Sequence, residues 1–107
     1  MLTIDAFRQM ELRVATITGA APHPNADRLL VLQIDLGSEQ RQLVAGIRAH
    51  YEPATLVGKQ IVVVANLEPA TLRGVQSQGM LLAASDADGH LAIVSPERAV
   101  TPGAVVK

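Results

Sequence analysis

Apolar positions fall in short blocks whose spacing changes along the chain. At the start, Ile4, Phe7 and Met10 recur at helical spacing, and Thr3 or Asp5 can cap the first turn, so a short helix is expected. From Glu11 the pattern becomes alternation: Leu12, Val14 and Ile17 lie among Arg13, Thr16 and Thr18, as in a half-buried strand. Gly19 to Asp27 carries Pro22, Pro24 and Asn25 and is expected to turn. Leu29 to Leu36 reads as a second strand, and Gly37-Ser38-Glu39 turns it into a third, Arg41 to Val44. Gly46 to Val57 is irregular or briefly helical, and Gly58 ends it. Lys59 to Ala65 is β-branched and so continuously apolar that it implies burial on both faces or closure of a barrel. Met80 to Ser85, a turn at Asp86-Ala87-Asp88-Gly89, and Leu91 to Val94 follow. Pro96, Pro102 and Gly103 keep the tail from forming a long helix.

Five or more short strands fit a small closed barrel. A connecting segment between the third and fourth strands and one long loop between the fourth and fifth suit the OB-fold. That fold is a five-stranded Greek-key barrel whose loops at one mouth bind oligonucleotides or oligosaccharides. An SH3-like barrel or a small sandwich shares much of the pattern, and periodicity does not separate them. The unusual feature is the connection itself, ANLEPATLRGVQSQGM from Ala65 to Met80, where a few residues would join two strands. Asn66, Arg73, Ser77 and the Gly79 amide are expected to project from it at one end of the barrel. Asparagine and serine donate and accept without charge, and arginine pairs with phosphate in a bidentate way. Met80 adds a deformable apolar surface. The set suits a sugar–phosphate backbone or an exposed base.

Composition narrows this picture. With 107 residues and 49% apolar content the chain suits one domain with one core. It has no cysteine, which excludes disulfides, Cys-containing zinc sites and thiol catalysis. Its start lacks the basic and apolar regions of a signal peptide, and no apolar run approaches the roughly twenty residues of a membrane span. A soluble cytoplasmic protein with no membrane partner is expected. Nine Lys/Arg against ten Asp/Glu give a net charge of −1, without the basic excess of a non-specific polyanion binder. A nucleic-acid reading therefore rests on where a few cations sit, with Arg13, Arg28, Arg48, Lys59 and Arg73 as the candidates. Only Phe7 and Tyr51 are aromatic, so no base-stacking platform is available. The ligand would be a folded, rigid RNA gripped by its backbone, with one or two unstacked bases.

Other chemistry is weakly signalled. Ser77 is flanked by glycines, but Gly74-Val75-Gln76-Ser77-Gln78-Gly79 is one residue too long for a nucleophile elbow. His23, His50 and His90 occupy separate loops without paired-ligand spacing and read as solvent-exposed turn residues. No catalytic residue, metal or cofactor is expected.

The motifs together resemble a known family. They run from Ile4-Asp5-Ala6-Phe7 and Leu12-Arg13-Val14 through His23-Pro24-Asn25-Ala26-Asp27-Arg28-Leu29 and Asp35-Leu36-Gly37 to Val44-Ala45-Gly46-Ile47, Tyr51 and Gly58-Lys59. The most specific are Ala65-Asn66-Leu67, Pro69, Leu72-Arg73-Gly74 and Ser77-x-Gly79-Met80. In this order and spacing the chain is similar to the tRNA-binding domain, known as stand-alone dimers and as the C-terminal appendage of methionyl-tRNA synthetases. The resemblance implies an OB-fold barrel over about residues 11–95, with extensions 1–10 and 96–107 that form a homodimer. It implies tRNA binding by shape rather than sequence, with Ser77 and Met80 in contact and Asn66 and Arg73 beside them. No catalysis is implied: such domains raise an aminoacyl-tRNA synthetase's affinity for tRNA in cis or in trans. Ala70-Thr71 departs from the pattern, since the family commonly carries basic residues there. Two rival readings are a dimeric OB-fold secretion chaperone that binds unfolded polypeptide and an assembly domain that docks onto a synthetase. The chaperones lack the Asn-Leu opening and the Ser-x-Gly-Met ending.

Overall fold

The computed structural model describes residues 1–107. Thr3 starts the first helix, α1 (Ile4–Arg8): its Oγ1 accepts from the Ala6 amide at 3.1 Å. The alternating segment that follows becomes β1 (Leu12–Pro22), the spine of an antiparallel sheet. Its first half pairs with β4 (Gln60–Val64) and its second half with β2 (Leu30–Asp35), which in turn carries β3 (Gln40–Ala45). Burial on both faces explains why β4 is continuously apolar. On β4, Ile61 and Val63 face the barrel interior, and Val62 and Val64 meet the terminal segments outside.

Inward-facing Ala15, Ile17, Leu30, Leu32, Ile34, Leu43, Ile61 and Val63 form the core, closed by Leu81 and by Leu56 of α2 (Pro53–Leu56). The long connection between β4 and β7 (Met80–Leu81) completes the barrel wall next to β3. The Gln78 amide donates to the Gln42 carbonyl at 2.8 Å, and the Val44 amide donates to Ser77 Oγ at 3.0 Å. A hairpin of β8 (Ala83–Ser85) and β9 (Leu91–Ile93) follows, and the Val62 amide donates to Val94 at 3.1 Å. This is the expected OB-fold architecture, a nearly closed antiparallel barrel.

Three elements differ from expectation. β1 runs past Thr18 to Pro22 because a bulge between Ile17 and Gly19 bends the strand without ending it. The segment Met80–Ser85 breaks at Leu82 into β7 and β8. The long connection is a hairpin, β5 (Ala70–Leu72) and β6 (Val75–Ser77), not an open loop. Leu72 lies opposite Val75, and the two residues between them, Arg73 and Gly74, have φ of 50° and 88°. Positive φ at both positions matches the twist of a two-residue hairpin.

The termini pack on the outer face of β1 and β4. Leu12, Val62 and Val64 form a small outer cluster covered by Phe7, Leu82 and Val106, the last from β10 (Val105–Val106) paired to the start of β1. No helix is long and apolar enough to cross a membrane.

Candidate nucleic-acid interface

The β5–β6 hairpin lies along β3, its foot bonded to Gln42 and Val44 and its tip directed toward the β1–β2 loop. There His23, only 2% exposed, joins the two. Its Nδ1 accepts from the Asn25 amide at 2.9 Å, which places the ring proton on Nε2. Nε2 then donates to the Leu72 carbonyl at 2.9 Å. The expectation of a solvent-exposed His23 is corrected: the ring is a buried bridge.

The same loop is bonded to the segment after β3. The Arg48 amide donates to the Arg28 carbonyl at 3.3 Å, and Arg48 Nη1 donates to the Ala26 carbonyl at 3.2 Å. Arg73 at the hairpin tip, Arg28 in the β1–β2 loop and Arg48 after β3 thus belong to three segments tied together by hydrogen bonds from the His23 and Arg48 side chains and the Arg48 amide. None of the three makes an ion pair, and Arg28 and Arg73 are exposed. Exposed Asp27 is the acid of this loop. Three cations on hydrogen-bonded segments can meet neighbouring phosphates with less backbone ordering than cations on free loops would need.

The rest of the expected lip is dispersed. Asn66 stands at the hairpin foot with its amide engaged: Oδ1 accepts from the Glu11 amide at 2.8 Å, and Nδ2 donates to the Gln9 carbonyl at 2.7 Å. Its role is to pin the entry of β1. Ser77 is 4% exposed, and its hydroxyl also donates to the Gly79 carbonyl at 2.8 Å. It is a buried barrel-closing residue, not a surface contact. Gly79 has a φ of 131°, and a Cβ there would meet the Val64 carbonyl oxygen at 2.8 Å, so glycine is required for packing. Met80 lies opposite Val64, and directly opposed residues share a face, which puts it on the outer apolar surface beside the termini.

Two of the five candidate cations also lie elsewhere. Arg13 pairs with Glu11 at 2.5 Å and donates to the Gly103 carbonyl at 2.9 Å, fastening the C-terminal segment. Lys59 follows α2, its carbonyl accepting from the Ile17 amide. That is about 16 Å along β1 from the loop at Pro22. It lines a cavity of about 430 Å³ with Tyr51, Gln60, Ile93 and Arg98.

Sequence reasoning missed Arg41. Its Nη1 donates to the Ala65 carbonyl at 2.5 Å and its Nη2 meets Glu39 at 2.6 Å, so it buttresses the hairpin foot. No spacing signals that role, because the partners are main-chain atoms far along the chain. His23 was findable: a ring acceptor two residues before Asn25 is placed to close a tight turn.

Residues 12–105 match the family described as "Putative tRNA binding domain". The chain belongs to that family. It is 54% identical to the methionine–tRNA ligase of Thermotoga maritima over 105 residues, covering 98% of this chain and 16% of that one. It is 53% identical to the Bacillus subtilis methionine–tRNA ligase over 106 residues, again 16% of that chain. The tRNA-binding family domain therefore spans about a sixth of these relatives. Among solved structures, a MetRS-related protein from Pyrococcus horikoshii superposes with a TM-score of 0.94 at 33% identity, covering 100% of this chain and 98% of that one. The chaperone CsaA from Bacillus anthracis superposes at 0.92 with 28% identity, covering 100% and 99%.

Proposed function

We propose that this chain binds folded tRNA by its shape, as a non-catalytic accessory to a methionyl-type aminoacyl-tRNA synthetase in cis or in trans. The observation that carries the reading is the hydrogen-bonded rim of Arg28, Arg48 and Arg73. It lies where OB-folds carry nucleic acid, at the first loop and at the connection between the last two barrel strands. A second support is the backbone of Arg73. A non-glycine residue at φ 50° is uncommon, and asparagine would suit the position better, so a charged side chain is held there at a conformational cost.

The proposed binding unit is a homodimer. Leu2, Ile4, Met10, Met80 and Val105 are exposed on or beside the terminal segments and β7, the elements that meet the outer cluster, and supply apolar side chains for a second copy. The similarity to CsaA and this same surface favour a second reading, capture of unfolded polypeptide. Filter binding of total tRNA and of a denatured polypeptide, each from low to moderate salt, separates the two. Salt-sensitive micromolar retention of many tRNAs is expected. Retention of the polypeptide with no retention of tRNA would refute the first reading.

A further inference from the structure

The hairpin that carries Arg73 is weakly attached along most of its length. Ala70 to Gly74 are all exposed, and Val75 is half-buried. β5 and β6 bond to one another, but a lone two-stranded hairpin is marginal in water. Between Ala70 and Val75 a single hydrogen bond reaches the rest of the protein, from His23 Nε2 to the Leu72 carbonyl. Because Nδ1 accepts from the Asn25 amide, the ring proton lies on Nε2, where it is available to the Leu72 carbonyl. One buried ring therefore closes the β1–β2 turn with one nitrogen and holds the hairpin tip with the other.

We propose that His23 is a positioning residue for RNA: as the Nε2–H tautomer it latches the hairpin tip and sets the spacing of Arg73 from Arg28 and Arg48. The latch stands on its own geometry, while its consequence for affinity rests on the proposed tRNA reading. With the latch open, Arg73 still carries its charge but samples many positions, and on average it no longer pairs with a phosphate. Giving up one phosphate pairing weakens binding about fivefold at 0.15 M salt, from the counterion-release slope of about 0.9 per phosphate.

Two substitutions separate the ring's functions. His23→Asn keeps an acceptor near the Nδ1 position for the Asn25 amide but has no donor that reaches Leu72. His23→Gln offers an amide donor near the Nε2 position and gives up the turn bond. Thermal melts would first establish that both variants fold. The expected result is about fivefold weaker tRNA binding per engaged protomer for His23→Asn, with binding by His23→Gln within about twofold of wild type. In the same experiments the Arg73 and Gly74 amides should gain fast motion by nitrogen-15 relaxation in His23→Asn only.

The tautomer is read on the unaltered protein from its imidazole nitrogen-15 shifts, so the proposal stays testable even if a variant misfolds. A proton on Nδ1, or hairpin amides equally rigid in His23→Asn, would overturn the latch. Free hairpin amides with unchanged tRNA affinity would overturn the positioning role. Arg73→Ala then tells the two levels apart: a loss of affinity leaves the arginine rim standing, and no loss removes the rim as well.

Discussion

Replacing Arg73 with asparagine should push stability and RNA binding in opposite directions. Arg73 holds a φ of 50° beside Gly74 at 88°. Left-handed backbone costs an ordinary L-residue roughly 1–2 kcal/mol, and asparagine, whose short side chain bonds locally, avoids part of that. A gain of about 0.5–1 kcal/mol is expected. It corresponds to a rise in Tm of up to about 6 °C if the hairpin unfolds with the barrel. Binding should fall, because one of three unpaired arginines leaves the rim. At about 0.9 per phosphate, the salt slope per protomer drops from about 2.7 to about 1.8, and affinity at 0.15 M salt falls about fivefold for each rim that the tRNA engages. Between 50 and 200 mM salt, the wild-type protomer should lose about 40-fold in affinity and the variant about 12-fold. Thermal melts and filter binding across that salt range measure both quantities. General damage to the fold cannot mimic a more stable, weaker binder. A variant that melts higher yet keeps wild-type affinity and slope would refute the placement of Arg73 against phosphate.

Asn66→Ala should cost about 1–3 kcal/mol, from two lost bonds to the entry of β1, and leave the tRNA salt slope unchanged. Ser77→Ala leaves the buried Val44 amide without its acceptor and should destabilise the barrel by about 1–3 kcal/mol, again with the slope preserved. The Asp86 carboxyl sits below its usual 3.8, held down by the His90 amide, then the His90 ring, then the Asp88 amide. A depressed folded value means this stabilisation is complete above the unfolded value and is lost as pH falls through the folded one. Protection of the Asp88 and His90 amides against exchange should therefore fall below about pH 3.8, ahead of the barrel strands. Met80→Glu places a charge on the outer apolar face and should yield monomers by light scattering, with the barrel still folded.

The barrel was legible because its signals are local. Alternation in β1 and β2, unbroken β-branching in β4 and the Asp86–Gly89 turn each state their structure within a few residues. The hairpin was not, because Arg73-Gly74 occupies a turn that Asn-Gly usually announces. The site was only partly legible, for a related reason. Asn66, Ser77 and Gly79 are polar or small in a long connection, which is also what closing a barrel over that connection demands. Their partners are main-chain atoms as far off as Gln9 and Val44, invisible to spacing. Arginines 28, 48 and 73 lie twenty or more residues apart, and only the bonds through His23 and Ala26 show the segments that carry them to be joined.

A net charge of −1 leaves little long-range attraction for RNA, so the proposed binding rests on local contacts. Three cations per protomer give counterion release worth a factor of about 170 at 0.15 M relative to 1 M salt. If one tRNA spans both rims of the proposed dimer, the exponents add and the factor rises to about 3 × 10⁴. Ala70-Thr71, which contributes no charge at the hairpin, then becomes tolerable, because doubling the rim replaces what extra lysines would supply. The loss on Met80→Glu should accordingly be about 170-fold in tRNA affinity with the salt slope halved. A monomer that keeps the full slope would mean that one protomer already makes every phosphate contact and that the second copy has another role.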